Sequence, residues 1–211
     1  MKITKDCIKL IFRRRNKMKL QTEETEKLIY DVGRTNVTSK TNVLVKTSIL
    51  AVIAYLLMLI EIPVFFFPDF LRIDASDIPA IIGGFAFGPI TGVAIEGIKN
   101  LIKFATGSWS GGIGELANFI VGTAWVLPAA IIYKRRKKRK TALYGMAIGI
   151  FSMVIVGALV NFFVLIPLYL PGVDAKSIVL YSIIPFNLFK GVVITLITMV
   201  IYKKISPVLH K

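Results

Sequence analysis

The sequence is poor in the residues on which most catalytic and metal sites depend. Its 211 residues include one cysteine, Cys7, and one histidine, His210. A single cysteine cannot form a disulfide bond within the chain, and no Cys/His cluster is present to hold a structural metal. A lone histidine next to the last residue also argues against a Ser–His–Asp triad. We therefore expect no catalytic residues and no metal site.

Charged residues, and acidic residues above all, are also scarce. Only 18% of residues are charged, 12 of them acidic against 27 basic, whereas 55% are hydrophobic and the mean hydropathy is +0.70. This composition excludes a disordered chain and disfavours an ordinary soluble enzyme. The basic residues are clustered: residues 1–46 hold 12 of them, and the run Lys134–Lys140 holds seven more. Apolar blocks separated by basic segments are typical of a multi-pass membrane protein.

Four apolar blocks reach the roughly 20 residues that a helix needs to cross the hydrocarbon core. A further stretch, Ile78–Thr106, is ambiguous, because ten apolar residues ending at Phe87 are followed by Gly88-Pro89 and then by a helix-like segment, Ile90–Phe104, with several charges. This stretch predicts either two short helices or a re-entrant hairpin. The four long blocks are Val43–Phe67, Leu116–Tyr133, Thr141–Leu170 and Ile178–Tyr202.

The positions of the basic segments favour one of these two topologies. Basic loops face the cytoplasm, which places the N-terminal segment, Lys134–Lys140 and the C-terminus on the same side. An even number of crossings must then precede Lys134, so Ile78–Thr106 contributes two helices or none. We favour two, and the sequence therefore predicts an all-α integral membrane protein with six transmembrane helices and cytoplasmic N- and C-termini. The outward loops, Pro68–Asp77, Gly107–Gly114 and Pro171–Ser177, are poor in Lys and Arg.

Small residues recur every four positions at Gly84, Gly88 and Gly92 and again at Gly145 and Gly149. This spacing predicts close packing of helices in the membrane. The chain is predicted to have two parts: a basic and polar cytoplasmic extension at residues 1–42, expected to be flexible, and a transmembrane domain at residues 43–211. Lys9–Leu20 of the extension has the composition of a membrane-surface segment.

Polar side chains inside the apolar blocks are costly and are therefore candidates for function. Asn187 and Lys190 are three residues apart, on one face of a helix, with no acidic residue nearby in sequence. Asn161 predicts either an interhelical hydrogen bond or a ligand contact. Glu96 and Lys99 suggest an internal ion pair, whereas Asp77, before Ile78-Pro79, suits a helix N-cap.

Amide groups with aromatic walls suit a planar heterocycle with a polar tail. The outer ends of the blocks are rich in aromatic residues, which are also typical of an interfacial belt. These residues are Phe65, Phe66, Phe67, Phe70, Trp109 and Tyr169.

Several long motifs, in order from about Val43 to the C-terminus, resemble the riboflavin-specific substrate-binding (S) subunit of energy-coupling factor (ECF) vitamin transporters. Phe66–Pro89 reads FFPDFLRIDASDIPAIIGGFAFGP, and Ile95–Leu101 reads IEGIKNL. The segment Thr106–Phe119 contains TGS and GGIGELANF, Gly157–Tyr169 reads GALVNFFVLIPLY, and Ile184–Gly191 reads IPFNLFKG.

The resemblance implies a six-helix S subunit of the cell membrane that captures riboflavin outside and works with a membrane coupling subunit and two ATPases. It implies that riboflavin is a transported ligand and not a cofactor, and that the protein is not an enzyme. The resemblance implies that Asn161, Asn187 and Lys190 contact the flavin. It also implies that Phe70–Asp74, which includes Leu71, forms an outer gate over the ligand. Glu115 and Asn118 match the fourth-helix motif near the site.

Three alternatives stay open at this stage. An S subunit could carry FMN or another vitamin, with a lysine accepting the phosphate. The chain could also be a membrane enzyme acting on a lipid, although Asp74 and Asp77 are the only close acidic pair of residues 43–211 apart from Asp69. A structural membrane protein is the third alternative. Lys134–Lys140 is interpreted as a determinant of topology and a contact for the lipid bilayer, and not as a nucleic-acid site.

Overall fold

The computed structural model describes residues 21–26, 40–68, 70–108 and 110–209, with side chains up to Tyr202. The predicted extension at residues 1–42 therefore lies mostly outside the described residues, as do Lys9–Leu20, Asp69, Trp109 and His210. The chain divides into two compact units, Met1–Val45 and Lys46–Lys211. Residues 21–26 form a short helical segment in the first unit. The binding cavity described below is formed by the second unit alone.

Long helices dominate the described residues, as the hydropathy pattern predicts. Four of the described helices are long and apolar enough to cross a membrane: α1, Lys40–Met58; α4, Ile113–Arg135; α5, Arg139–Tyr169; and α6, beginning at Ala175 and apolar to Tyr202. Helix α6 continues to Leu209. Two further helices lie between α1 and α4: α2, Asp77–Phe87, and α3, Pro89–Gly107.

The stretch between α1 and α4 contains two helices separated at Gly88. Helix α2 has 11 residues, roughly 16 Å of helix, and α3 has 19 residues, roughly 28 Å. Gly88 has a φ of +111°, a backbone conformation that only glycine adopts without strain, and Pro89 begins the next helix. Helix α3 carries Glu96, Lys99 and Lys103, which lowers its hydropathy although its length suits a crossing.

The first apolar block differs from the prediction. We expected one span over Val43–Phe67, but α1 ends at Met58, and Ile62–Pro63 pairs antiparallel with Arg72–Ile73 as strands β1 and β2. Pro63 has no N–H group and restricts the residue before it, so the helix cannot continue through this sequence. The described residues 64–68 and 70–76, which include β2, connect β1 to α2 and reach the cavity. This segment is called the outer loop, because the sequence predicts an outward position for Pro68–Asp77.

Close helix packing follows the predicted glycine spacing except at Gly88, where an added Cβ atom would meet nothing within 4 Å. A Cβ atom at Gly92 would lie 3.1 Å from the Cα atom of Gly84, and one at Gly149 would lie 2.6 Å from the backbone oxygen of Trp125. Helices α2 and α3, and likewise α4 and α5, therefore pack with their backbones close together. The buried core of the second unit is centred on Trp125, Val126 and Met146.

Two helices contain π-helical turns that the sequence analysis did not predict. Helix α5 changes from α-helix to π-helix at Asn161–Leu165 and returns to α-helix at Ile166–Tyr169. Helix α6 has a similar turn at Val179–Ile183. Such turns are often found at functional sites, and both lie beside the cavity.

Candidate ligand-binding site

A cavity of about 520 Å³ lies between the outer loop and helices α4, α5 and α6. Its volume falls within the roughly 300–1,000 Å³ typical of small-molecule sites. Most of its surface is apolar, with contributions from Ala117, Val121, Met153 and Leu165, and a small number of polar side chains interrupt this lining. The cavity therefore combines a shape for an apolar ring system with fixed hydrogen-bonding groups.

Helix α6 presents one continuous face to the cavity. Ile183, Phe186, Asn187 and Lys190 all line it. Their spacing of three or four residues places them on one side of an α-helix, as predicted for the Asn187 and Lys190 pair. Asn187 is 8% exposed, so its amide is withdrawn from solvent.

Helix α5 contributes another wall through Met153, Asn161 and Leu165. The Nδ2 atom of Asn161 donates a hydrogen bond to the backbone oxygen of Gly157 at 2.8 Å. This bond fixes the amide and leaves its oxygen available as an acceptor. Gly157 also makes room for Asn187, because a Cβ atom at this position would lie 2.8 Å from the Nδ2 atom of Asn187.

Lys190 is held by two carboxylates that are distant in sequence. Its Nζ atom lies 3.0 Å from Oδ2 of Asp77 and 3.3 Å from Oδ2 of Asp74, which is 116 residues away. An ammonium group has three N–H donors. Two of them are directed at these carboxylates, which leaves one for an acceptor in the cavity.

Asp77 has a role different from the predicted N-cap. Ser76 occupies the N-cap position of α2, and Asp77 is the first residue of the helix. The carboxylate of Asp77 bridges two lysines, with Oδ1 2.6 Å from Nζ of Lys99 and Oδ2 3.0 Å from Nζ of Lys190. The two ammonium groups, of buried Lys99 and of partly buried Lys190, compete for it more strongly than backbone amides, because charge-assisted pairs are stronger in a low-dielectric interior.

Lys99 lies deeper than Lys190 and is completely buried. Its Nζ atom is 2.8 Å from Oγ of Ser76 and 2.8 Å from Oε2 of Glu96, in addition to its contact with Asp77. The predicted internal ion pair between Glu96 and Lys99 is therefore present. Gly122 accommodates the carboxylate, since a Cβ atom there would lie 2.4 Å from Oε2 of Glu96.

The outer loop covers part of the cavity. Phe70, Leu71, Arg72 and Asp74 line it. Phe67 packs edge-on against Phe186 of α6, with ring centroids 5.4 Å apart. The loop is therefore attached to α6 by this aromatic contact and by the ion pair between Asp74 and Lys190.

The start of α4 shapes another side of the cavity. Asn118 lines it, and the Oδ1 atom of Asn118 is buried without a hydrogen-bond partner among the described residues. Glu115 is not one of the lining residues. Its Oε2 atom instead accepts hydrogen bonds from Ser108 and Ser110, both at 2.7 Å. Ser110 lines the cavity, so Glu115 holds a loop that forms part of the wall.

Seven of the eight predicted site residues line one cavity, and contact of each with a ligand stays a prediction. The seven are Phe70, Leu71, Asp74, Asn118, Asn161, Asn187 and Lys190. Of the predicted aromatic wall, Phe70 and Tyr169 line the cavity, whereas Phe65 and Phe66 are 95% and 86% exposed. Sequence reasoning missed Asp77 as a lining residue.

Comparison with known proteins identifies the family. Residues 42–202 match the family model described as "ECF transporter, substrate-specific component". The chain belongs to this family. The family is a transport family, so this S component is a multi-pass membrane protein and not an enzyme, and the resemblance found in its motifs is confirmed.

Two similar relatives are riboflavin transporters. The S component is 37% identical over 165 residues to the riboflavin transporter FmnP of Bacillus subtilis (strain 168), covering 74% of this chain and 87% of the relative. It is 34% identical over 168 residues to the riboflavin transporter RibU of Staphylococcus aureus (strain TCH60), covering 76% and 88%.

A solved structure of the S component of a bacterial ECF transporter is also similar. It matches with a TM-score of 0.72 and 35% sequence identity over 82% of this chain and 99% of the solved chain. The described helices therefore have the S-component fold.

Proposed function

We propose that this S component captures riboflavin at the outer side of the cell membrane and delivers it inward. The observation that carries the proposal is a cavity in which three amides and one partly neutralised ammonium group face a largely apolar space. An isoalloxazine ring has a large apolar area and an edge of alternating carbonyl and N–H groups. The two riboflavin transporters that are more than a third identical support the same ligand.

The polar residues suit different parts of such a ligand. Lys190 donates its remaining N–H to a ring carbonyl, and Asn187 and Asn161 offer both donors and acceptors to the ring edge. The buried acceptor of Asn118 suits a hydroxyl of the ribityl chain, because an unpaired buried oxygen costs free energy until it finds a donor. Phe70, Leu71 and Asp74 of the outer loop close over the ligand.

An absorbance spectrum of the detergent-purified protein, produced in riboflavin-rich cells, tests this assignment. We expect a flavin band close to one equivalent per protein, which Asn187→Ala and Lys190→Ala each reduce or remove. Asn100→Ala and Lys176→Ala are matched controls, since neither residue lines the cavity. A colourless protein that also fails to quench the fluorescence of added riboflavin would contradict the proposal.

The proposed direction of transport requires a defined topology. We propose six crossings, with α2 and α3 as the second and third, both termini in the cytoplasm and the cavity mouth outside. Labelling of introduced cysteines in intact cells tests it, using Lys137→Cys and Lys176→Cys in a Cys7→Ser background. An impermeant thiol reagent should label the chain with cysteine at 176 and leave the chain with cysteine at 137 unlabelled. The reverse pattern would invert the topology.

The proposed partners are a membrane coupling subunit and two ATPase subunits. Membership of the family supports assembly of this chain with an ECF module, and co-purification of the tagged chain with all three subunits tests the composition.

We further propose that residues 1–42 are a separate cytoplasmic extension, because the family match begins at residue 42. Deleting residues 1–39 should then leave the Kd for riboflavin unchanged.

A further inference from the structure

A cluster of five charged side chains extends from the cavity into the protein interior. It contains three carboxylates, of Asp74, Asp77 and Glu96, and two ammonium groups, of Lys99 and Lys190. Asp74 and Lys190 lie at the cavity, and Lys99 and Glu96 are completely buried. Asp77 connects the two halves, because each of its carboxylate oxygens contacts a different lysine.

The two lysines differ in how fully their donors are used. Lys99 donates hydrogen bonds to Ser76 and Asp77, and its Nζ atom lies 2.8 Å from Oε2 of Glu96 in an ion pair. Lys190 lines the cavity and has two carboxylate neighbours, which leaves its third N–H group without a partner among the described residues. Lys99 therefore has its three oxygen neighbours within the protein and away from the cavity, whereas Lys190 has one donor for a ligand.

Lys99 controls the orientation of the carboxylate that holds Lys190. With Oδ1 of Asp77 fixed at 2.6 Å by Lys99, only Oδ2 is available to Lys190. Without Lys99, the carboxylate would be free to rotate and take Lys190 with both oxygens, or to become protonated and release it. Either change would move the Lys190 ammonium group away from the position at which its third N–H meets the ligand.

We propose that Lys99, supported by Glu96, is a positioning residue of the flavin site and acts on the ligand through Asp77 and Lys190. This inference rests on the proposed riboflavin-binding function. Neither Lys99 nor Glu96 lines the cavity, so their effect on binding is indirect. Residues that orient a ligating group from behind typically change affinity about 10–100-fold at metal sites, and we expect a loss of about tenfold here.

The variant for the test must avoid an unpaired buried charge. Lys99→Met alone leaves the buried carboxylate of Glu96 without its cation and Asp77 with Lys190 alone, which destabilises a buried site strongly. The double variant Lys99→Met/Glu96→Gln removes one charge of each sign and preserves the formal net charge of −1 of the cluster. Lys103→Met is the matched control, because it removes a lysine from the same helix that neither lines the cavity nor belongs to the cluster.

The experiment is a double-mutant cycle on the full chain in detergent. We would measure the riboflavin Kd by fluorescence quenching, the visible absorption band of bound flavin and the melting temperature without ligand. We expect Lys99→Met/Glu96→Gln to weaken binding about tenfold and to shift the flavin band, with a melting temperature close to that of Lys103→Met. In a Lys190→Gln background, the same double change should alter the Kd less than twofold.

Two outcomes would overturn the inference while leaving the proposed function intact. One is an unchanged Kd in the double variant. The other is an equal loss in the wild-type and Lys190→Gln backgrounds, which would mean that Lys99 acts by a route other than Lys190. Absence of riboflavin binding by the wild-type protein is a distinct result, which would overturn the proposed function and this inference with it.

Discussion

Replacing Gly157 by alanine should weaken riboflavin binding without weakening the fold. The added Cβ atom would lie 2.8 Å from the Nδ2 atom of Asn187 and 3.7 Å from a methyl carbon of Val121. The first distance is too short, whereas ordinary contact begins at 3.4 Å, so the amide must move by about 0.6 Å. The end of the Asn187 side chain is flexible enough to give way without displacing either helix.

The size of the effect follows from the geometry of a hydrogen bond. A bond of about 2.9 Å that lengthens by about 0.6 Å reaches the limit at which it counts as one. A neutral hydrogen bond contributes about 0.5–1.5 kcal/mol, so the Kd for riboflavin should rise about two- to tenfold. Alanine is also a better helix residue than glycine by about 0.5–1 kcal/mol, so the melting temperature should stay the same or rise.

Titration of riboflavin fluorescence and a thermal melt of the same samples measure both effects. Gly97→Ala is the matched control, because its Cβ atom would meet only Phe119, at an ordinary 3.5 Å. Gly97→Ala should leave the Kd unchanged. An equal Kd for Gly157→Ala and Gly97→Ala would refute the reasoning, and so would a large loss of stability in Gly157→Ala.

Three further predictions concern two residues of the site and its surroundings, Asp74 and Glu115, and the first turn of α6. Asp74→Asn should lower the ratio of the FMN Kd to the riboflavin Kd by about tenfold, since it removes a negative charge from the cavity lining that repels a phosphate. Glu115→Ala should speed riboflavin dissociation in stopped-flow measurements, because the wall at Ser110 loses its acceptor. The hydroxyl of Ser177 holds the pKa of Asp174 below its usual value. The stabilisation of the first turn of α6 by this carboxylate is therefore present above the unfolded pKa of about 3.9 and lost as the pH falls through the lower folded pKa. Asp174→Ala should accordingly speed amide exchange of Lys176 at pH 7, with a difference from wild type that shrinks at acid pH.

Each of these predictions has an outcome that contradicts it. An unchanged ratio of the two Kd values in Asp74→Asn would mean that the phosphate does not sense this carboxylate. Equal dissociation rates would show that Ser110 keeps its place without Glu115. A constant exchange difference at every pH would assign the effect of Asp174 to something other than its charge.

Much of the architecture could be predicted from the sequence, because hydropathy and helix-breaking residues such as glycine and proline act over a few neighbouring positions. The helix break at Gly88-Pro89 and the bounds of α4 and α5 follow from residues within a few positions of each end. The predicted end of α1, Phe67, lies beyond the observed end, Met58. The reason is that Phe65–Phe67 is apolar enough to extend a hydropathy block, although the helix cannot continue through Pro63. Backbone chemistry outweighed hydrophobicity at that point.

The site could be predicted only in part. Asn187 and Lys190 are neighbours on one helix, so their spacing was sufficient to place them together. The carboxylates that hold Lys190 come from the loop before α2 and from its first residue, more than a hundred positions away. No local pattern indicates that partnership. An energetic argument could have predicted this ion pairing, because a lysine inside an apolar block requires an acidic partner. Asp74 and Asp77 are the close acidic pair nearest to an apolar block.

The π-helical turn at Asn161–Leu165 makes the length of α5 part of the recognition surface. A π-turn contains about one residue more than an α-turn, and one α-helical residue corresponds to a rotation of about 100°. Deleting a single residue within 161–165 would therefore convert the π-turn into an α-turn and leave Gly157 and Ile166 at nearly the same relative rotation. The change would be confined to the wide turn that presents Asn161 and Leu165 to the cavity. The apolar composition and the membrane insertion of the segment would be unaffected. Ligand recognition by this helix thus depends on residue count as well as on residue identity, and a one-residue deletion there would act as a change of specificity and not of fold.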